Sequence, residues 1–327
     1  MGFGNVGEAF VTLLDKKEPE LRGRYGIAVR LTGIASRQIG WLFTPNGFTL
    51  RKLLVRDFSG GKKAGDVRQW LQQARADALF EASSLNAETG QPAIDYLRAA
   101  LETGAHAISA NKGPVVHAWR ELTELASSRG RRFFFESATM DGVPVYSLFR
   151  ETLPAIKVHG FRGVLNSTTT VILDALDAGM TFDEAVGEAH RLGIAETDPS
   201  ADIDGIDAAV KVVALANVLM GANLTLADVH RRGIREVTVA QLREAQASGE
   251  AWRLVSRALR VSDSRIVASI TPERLKATDP LASVRGTSLM IAFQTDIFPE
   301  LVIGERDPGP QATAYGLLAD FLNAIRT

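Results

Sequence analysis

Apolar positions along the first half of the chain follow two alternating rhythms. Val6, Phe10, Leu13 and Leu14 recur at helical spacing, which predicts a helix burying one stripe. Continuous apolar runs at 25–36, 77–83 and 105–110 read as buried strands, and a shorter strand ends at 133–136. Helical stretches at 67–75 and 92–103 separate them. Strands apolar on both faces, alternating with helices, are the pattern of a parallel, doubly wound α/β sheet. In the second half, Asn166 or Ser167 is placed to cap a helix over 168–176. Residues 208–220 form a helix that is apolar nearly all round. Helices at 239–249 and 251–260 follow, then strands near 266–270, 288–294 and 301–303. The tail, 311–325, is helical through Tyr315, Leu318, Phe321 and Leu322.

The opening Gly2-Phe3-Gly4-Asn5-Val6-Gly7 is a G-x-G-x-x-G running into the first helix. Residues without Cβ let backbone N–H groups approach a pyrophosphate, which then sits on the helix N-terminus. The strand–helix alternation behind it turns a weak motif into a dinucleotide-binding reading. Gly2, Gly4, Asn5, Val6 and Gly7 form the loop; Ser83, Ser84 and Asn111, at carboxyl ends of the strands, complete the expected cofactor set. Only Met1 precedes Gly2, so the strand that the fingerprint ordinarily follows is expected to be absent, leaving unpaired edges on its neighbours. After the second strand, where an acid would select NAD, stands Ser36-Arg37-Gln38. Arg37 suits a 2′-phosphate and favours NADP, with NAD the alternative.

Length and composition narrow the classes. At 327 residues the chain suits two domains. Hydrophobic residues are 46% and charged residues 23%, a globular composition. Lys and Arg number 37 against 38 Asp and Glu, so no charge surplus drives non-specific binding to nucleic acid or an anionic membrane. No apolar run approaches the ~20 residues of a membrane span. The absence of Cys excludes disulfides, thiolate nucleophiles and Cys-ligated metals, and it suits a cytoplasmic protein. The five His are scattered, without metal-ligand spacing.

Two groups of polar residues carry chemistry. Lys112 follows Asn111 at a strand's carboxyl end, where open α/β sheets place ligands. The segment 193–211 gathers Glu196, Asp198, Asp202, Asp204 and Asp207 ahead of the apolar helix that carries Lys211. Asp207 and Lys211, four apart, share a helix face. Either they form a solvated surface pair, or Lys211 sits in a low-dielectric setting where an ammonium needs carboxylate partners. Carboxylates around a constrained Lys also describe a cage for an amino-acid zwitterion. EF-hand spacing is not met.

Taken in order, GFGNVG, SANK (109–112), ESATMDGVP (136–144), GVLNSTTTVIL (163–173), LGIAETDPSADIDGIDAAVK (192–211) and RGI (232–234) resemble the homoserine dehydrogenase family over essentially the whole chain. The resemblance implies a Rossmann domain over 1–135, rejoined by a C-terminal helix at 306–327. It also implies an α+β substrate-binding domain over 136–305 whose sheet pairs across a homodimer. The implied activity is NAD(P)-dependent interconversion of L-aspartate 4-semialdehyde and L-homoserine, on the threonine and methionine route, without kinase or regulatory domain. It assigns general acid–base chemistry to Lys112 and Lys211, and substrate contacts to Glu196, Asp202 and Asp207, with Gly193 and Thr168 beside them. A monovalent cation, Na or K, is implied on backbone carbonyls of the loop containing Glu136, Thr139 and Asp141. The family's L-G-Y-A-E has Ile194 for Tyr here, its G-T-T-N reads Ser167-Thr168-Thr169-Thr170, and its late GxGAG turn reads Pro308-Gly309-Pro310.

Two other functions fit less of the pattern. One is a Rossmann oxidoreductase for another small amino-acid-like substrate, motivated by Ile194 and Thr170. The other is a non-catalytic nucleotide sensor, motivated by the absent strand. The lack of Cys separates all three from thiolate-using semialdehyde dehydrogenases.

Overall fold

A computed structural model describes residues 1–326, and the chain divides into two compact units, 1–146 with 309 onward, and 147–308. In the first unit the glycine loop opens directly into α1 (Asn5–Tyr25), which Gly26 ends in the left-handed conformation at φ 67°. A ribbon follows: β1 (Gly33–Ser36) and β2 (Gly40–Phe43) pair antiparallel, and after α2 (Leu50–Leu54) the short β3 (Lys62–Lys63) joins β2. Then come α3 (Val67–Ala74), β4 (Ala78–Glu81), α4 (Ala93–Glu102), β5 (His106–Ser109), α5 (Lys112–Ser128) and β6 (Phe133–Phe134). Strands β4, β5 and β6 pair in parallel, so the expected parallel sheet is present and limited to them.

The expected strand over 25–36 is corrected to its last four residues. Met1 and Gly2 alone carry the pairing between β1 and β4: Gly2 N–H donates to Ala35 O (2.9 Å), Met1 N to Phe80 O (2.7 Å), and Ala82 N–H to Met1 O (2.9 Å). The last two bonds form a parallel bridge. Beside them lies a cavity of about 300 Å³ lined by Ala28, Leu31, Ile34, Trp70, Leu79 and Phe80 among others. Along it, the carbonyls of Leu31 and Thr32 accept from Phe48 and Thr44 N–H (both 2.8 Å), but residues 27–30 join no strand ladder among the described residues, so the apolar run stays irregular.

The second unit is built on a mixed sheet. Its elements are β7 (Val158–Val164), α6 (Ser167–Asp177), α7 (Phe182–Arg191), α8 (Ser200–Ile203), α9 (Ile206–Leu219), β8 (Val229–Arg231), α10 (Val239–Ala247), β9 (Ala251–Ser262), β10 (Arg265–Leu275), β11 (Leu289–Thr295) and β12 (Leu301–Glu305). The strand order is β12-β11-β7-β9-β10-β8, antiparallel throughout except for β10 with β8. Helices α6 and α9 pack on β9. At one end of the opposite face Leu281 and Val284 cover Val164, Val255 and Leu275.

The helix expected at 251–260 is corrected to strand β9. Ala251, Leu254, Val255, Ala258 and Leu259 match helical spacing, yet Leu254 and Val255 are both buried, one on each face of the sheet. A strand covered on both sides loses its two-residue alternation and imitates a helix.

A last helix, α11 (Pro310–Ala324), belongs to the first unit. Its Ala314, Leu317 and Leu318 share a core with Phe10, Leu14 and Leu21 of α1 and Ile108 of β5. Two further bonds tie it down: Glu136 N–H donates to Asp320 (2.7 Å), and Ser137 Oγ to Thr313 O (2.8 Å).

Candidate active site

Each unit holds one set of candidate residues. In the first, the three glycines of the loop have distinct physical reasons. Gly2 adopts φ 82°, and a Cβ there would stand 2.2 Å from Ala82 O; a Cβ on Gly7 would stand 2.6 Å from Gly2 O. Gly4 has nothing within 4 Å of its missing Cβ and caps α1 with no side-chain bond. The first and third glycines therefore let the turn close and the helix approach, while the second leaves open space over free helix N–H groups. That division of labour fits a pyrophosphate. Asn5 and Val6 begin the helix. Arg37 is exposed in the tight turn between β1 and β2, beside Ser36, whose hydroxyl accepts from the N–H of Gln38 and Ile39 (3.3 and 3.4 Å).

The carboxyl ends of β4 and β5 are joined by a residue that sequence reasoning missed. Glu81 is fully buried. Its Oε1 accepts from Ser83 N–H (2.8 Å) and from the Ser83 hydroxyl, and its Oε2 accepts from Ser109 Oγ (2.9 Å). Ser109 Oγ in turn accepts from Asn111 N–H (3.0 Å). The Asn111 amide donates to the carbonyls of Ser83 and Ser84 (3.3 and 3.5 Å), and its Oδ1 accepts from Gly113 N–H (3.0 Å), capping α5. Lys112 is the first residue of that helix and is half-buried. An acid ending an otherwise apolar strand was the available signal for Glu81.

In the second unit the chemistry gathers around Asn166, which precedes α6. Its Oδ1 accepts from Thr169 N–H and Oγ1 (2.9 and 3.0 Å), and its amide donates to Asp202 (2.6 Å) and Asp207 (3.2 Å). All four of its hydrogen-bonding positions are used. Lys211 Nζ pairs with Asp207 at 3.3 Å and donates to Leu165 O at 2.5 Å; the two side chains are 13% and 19% exposed. The Asp207–Lys211 pair is thus a recessed one. Burial, followed by the charge of Asp207, pushes the Asp202 carboxyl above its ordinary range, against the pull of Asn166, Thr168 and Lys211. Buried Thr168 lies in the same cluster.

The RGI turn holds Asp202 in place from behind. Ile234 N–H donates to Ile203 O (3.0 Å), a Cβ on Gly233 would meet that oxygen at 2.2 Å, and Arg235 pairs with Asp204. Glu196 and Gly193 are not drawn into the cluster. Both are exposed between α7 and α8, and Gly193 serves the left-handed turn at φ 69° that ends α7. Sequence reasoning gave Asn166 only a capping role; its place among clustered acids shows a second one.

The loop holding Glu136, Thr139 and Asp141 is deeply packed in the first unit. Glu136 is 3% exposed, and its Oε1 accepts from Tyr146 N–H (2.6 Å). Asp141, at φ 48°, accepts from Thr313 Oγ1 (2.7 Å). The hydroxyls of Thr139 and Tyr146 are buried beside each other, and burial pushes the phenol pKa up against the pull of Thr139. Among the described residues no three His, Cys, Asp or Glu side chains come together as a metal site. No described helix is long and apolar enough to cross a membrane.

The chain is similar to known proteins in sequence and in fold. A family model described as homoserine dehydrogenase matches residues 144–322, and one described as homoserine dehydrogenase, NAD binding domain, matches 2–136. The chain is 32% identical to the NAD(+)-dependent homoserine dehydrogenase of Pseudomonas canavaninivorans, over 99% of this chain and 94% of that one. It is also 32% identical to the homoserine dehydrogenase of Methanocaldococcus jannaschii, over 99% and 96%. A solved hyperthermophilic archaeal homoserine dehydrogenase in complex with NADPH superposes with a TM-score of 0.83 at 28% identity, covering 99% of this chain and 95% of the other. With a glycine loop built for a dinucleotide, a recessed acid–lysine cluster and both family models matched in order, the chain belongs to the homoserine dehydrogenase family.

Proposed function

We propose that this protein interconverts L-aspartate 4-semialdehyde and L-homoserine with a nicotinamide cofactor, on the route to threonine and methionine. The observation that carries the reading is the clustering of two recessed carboxylates. Asp202 and Asp207 both accept from the Asn166 amide, and Lys211 pairs with Asp207. Burial and the neighbouring charge of Asp207 penalise the ionised form of Asp202, a cost that an added cation relieves, and the α-ammonium of an amino-acid substrate is such a cation. The raised pKa of Asp202 fits a carboxylate waiting for a cation.

When bound, the nicotinamide supplies or accepts the hydride. The chain does the rest. Asp202 and Asp207 hold the α-ammonium and so orient the aldehyde. Lys112 and Lys211 act on the oxygen that gains alkoxide character: Lys211 gives it the proton, an effect worth ~10²–10⁴-fold in rate, and the charge of Lys112 adds stabilisation. The loop Gly2–Gly7 and the N–H groups of α1 carry the pyrophosphate, with Asn5 and Val6 at the helix start and Ser83, Ser84 and Asn111 beside it. Arg37 pairs with a 2′-phosphate, so NADP is favoured over NAD. Glu196, with Gly193 supplying its turn, adds a substrate contact. A monovalent cation, Na or K, is held by backbone carbonyls of the loop containing Glu136, Thr139 and Asp141.

The protein works in the cytoplasm as a homodimer. Leu259 and Val267 are cross-strand neighbours on one sheet face, and Val302 lies on the same face; each is 39% exposed. Such a patch suits burial against a second copy.

The test is an initial-rate assay at the nicotinamide absorbance band with homoserine and each oxidised cofactor, on the wild type and on Asp202→Asn. Turnover that falls with the Asn variant through KM supports the reading. Cofactor binding without turnover on homoserine overturns it in favour of a nucleotide sensor.

A further inference from the structure

The buried carboxylate of Glu81 has no place in the reaction as written above. It nevertheless sits at the junction of the parts that serve the reaction in the first unit. One oxygen, Oε1, takes both donors of Ser83; the other, Oε2, takes Ser109 Oγ, which itself receives Asn111 N–H. The Asn111 side chain then closes the ring back to Ser83 O and on to Gly113 N–H, on either side of Lys112. A fully buried carboxylate is expensive unless its lone pairs are used, and here three donors from two different loops use them. Fold stability alone would be served as well by an apolar residue at the end of this strand.

We propose that Glu81 is a positioning residue with two separable arms. The Oε1 arm shapes the Ser83–Ser84 turn for the cofactor. The Oε2 arm, through Ser109 and Asn111, sets the start of α5 and with it the pose of Lys112. This inference rests on the reading that Lys112 acts on the substrate oxygen.

The separation follows from the bonding. Ser109→Ala removes the link between Glu81 and Asn111 N–H while leaving both Ser83 bonds intact. Ser83→Ala removes the hydroxyl bond and leaves the Asn111 cap intact. Glu81→Gln keeps an oxygen for Ser83 and presents an amide to Ser109 Oγ, which can accept it. Glu81→Ala loses both arms.

The experiment measures four quantities for each variant: the dissociation constant for NADPH by quenching of Trp fluorescence, kcat, KM for homoserine, and melting temperature. Ser109→Ala should lower kcat by roughly tenfold or more, with a smaller effect on the NADPH constant than Ser83→Ala shows. Ser83→Ala should weaken NADPH severalfold, with a smaller loss of kcat than Ser109→Ala shows. Glu81→Ala should show both effects, and Glu81→Gln should restore most of each. A merely structural Glu81 predicts lower melting temperatures in all variants, with the folded fraction keeping wild-type kcat and wild-type NADPH affinity; that result overturns the proposal. Lys112→Ala keeps the two levels apart. If it loses kcat while Ser109→Ala and Glu81→Ala do not, the positioning role alone is wrong. If Lys112→Ala keeps full kcat, the role given to Lys112 is wrong as well.

Discussion

Replacing Lys211 by Ala tests the acid–lysine cluster most directly. The side chain is 13% exposed and its partner Asp207 19%, so solvent screens the pair only partly. Removing one member of a buried pair typically costs ~3–5 kcal/mol. Asn166 goes on donating to both carboxylates, which places the loss at the low end, about 3 kcal/mol. At roughly 2–4 °C per kcal/mol for a domain of this size, the melting temperature should fall by about 6–12 °C. Catalysis should fall separately, by at least ~10²-fold in kcat, about 2.7 kcal/mol at the transition state.

The pH dependence of the deficit carries a sign. Lys211 is one of the groups that lower the Asp202 pKa, so its loss drives an already raised value higher. An acid raised in the folded state adds stability below its unfolded pKa and loses that contribution as pH rises through the folded value. The deficit should therefore shrink on moderate acidification, as Asp202 takes a proton, and be full at neutral pH. Lys211→Arg separates the two roles. A guanidinium restores the charge, and most of the melting temperature, but gives up no proton at neutral pH, so kcat should stay low. The assay is thermal unfolding by far-UV circular dichroism across pH, alongside initial rates. An Ala variant that melts within about a degree of wild type and turns over normally would return Lys211 to the role of a surface ion-pair partner.

Three further outcomes are expected. Arg37→Ala should lower kcat/KM for NADPH by roughly tenfold or more, the worth of one charge-assisted hydrogen bond, and leave NADH untouched; a strong NAD preference in both proteins would remove Arg37 from cofactor choice. Because the pKa of Asp202 is raised, KM for homoserine should rise as pH drops through that value, while Asp202→Asn should show a high KM without this limb; parallel profiles in steady-state assays would count against ammonium binding there. Gly7→Ala puts a methyl 2.6 Å from Gly2 O and should cost ~1–3 kcal/mol by overpacking, read as weaker NADPH binding in a fluorescence titration; unchanged affinity would show that the loop has slack.

Most of the nucleotide half was legible because its signals are local. The glycine loop, the apolar runs at 77–83 and 105–110, and the helices between them each follow from a few adjacent residues. The strand expected over 25–36 is shorter in the fold because apolar content does not provide a partner: the ladder with β2 takes Gly33–Ser36, and beyond it only Leu31 and Thr32 carbonyls are bonded to 44–48. Strand β9 was read as a helix because both of its faces are covered, which erases the alternation that marks a strand. In the site, Asp207 and Lys211 were readable from their spacing of four. Asn166 and Glu81 were not, since their partners come from 36 and 28 residues away, and no local pattern encodes such a meeting.

Helix α11 bears on how the protein is made. It completes the core under α1 and β5 and satisfies the backbone at Glu136, yet in chain order it comes after the whole second unit. Ribosomes deliver about 5–20 residues per second, so the nucleotide unit spends many seconds with the faces of Phe10, Leu14 and Ile108 uncovered. The second unit, contiguous in sequence, can fold as soon as it emerges. The core of the half made first is therefore completed only by the last segment to be synthesised.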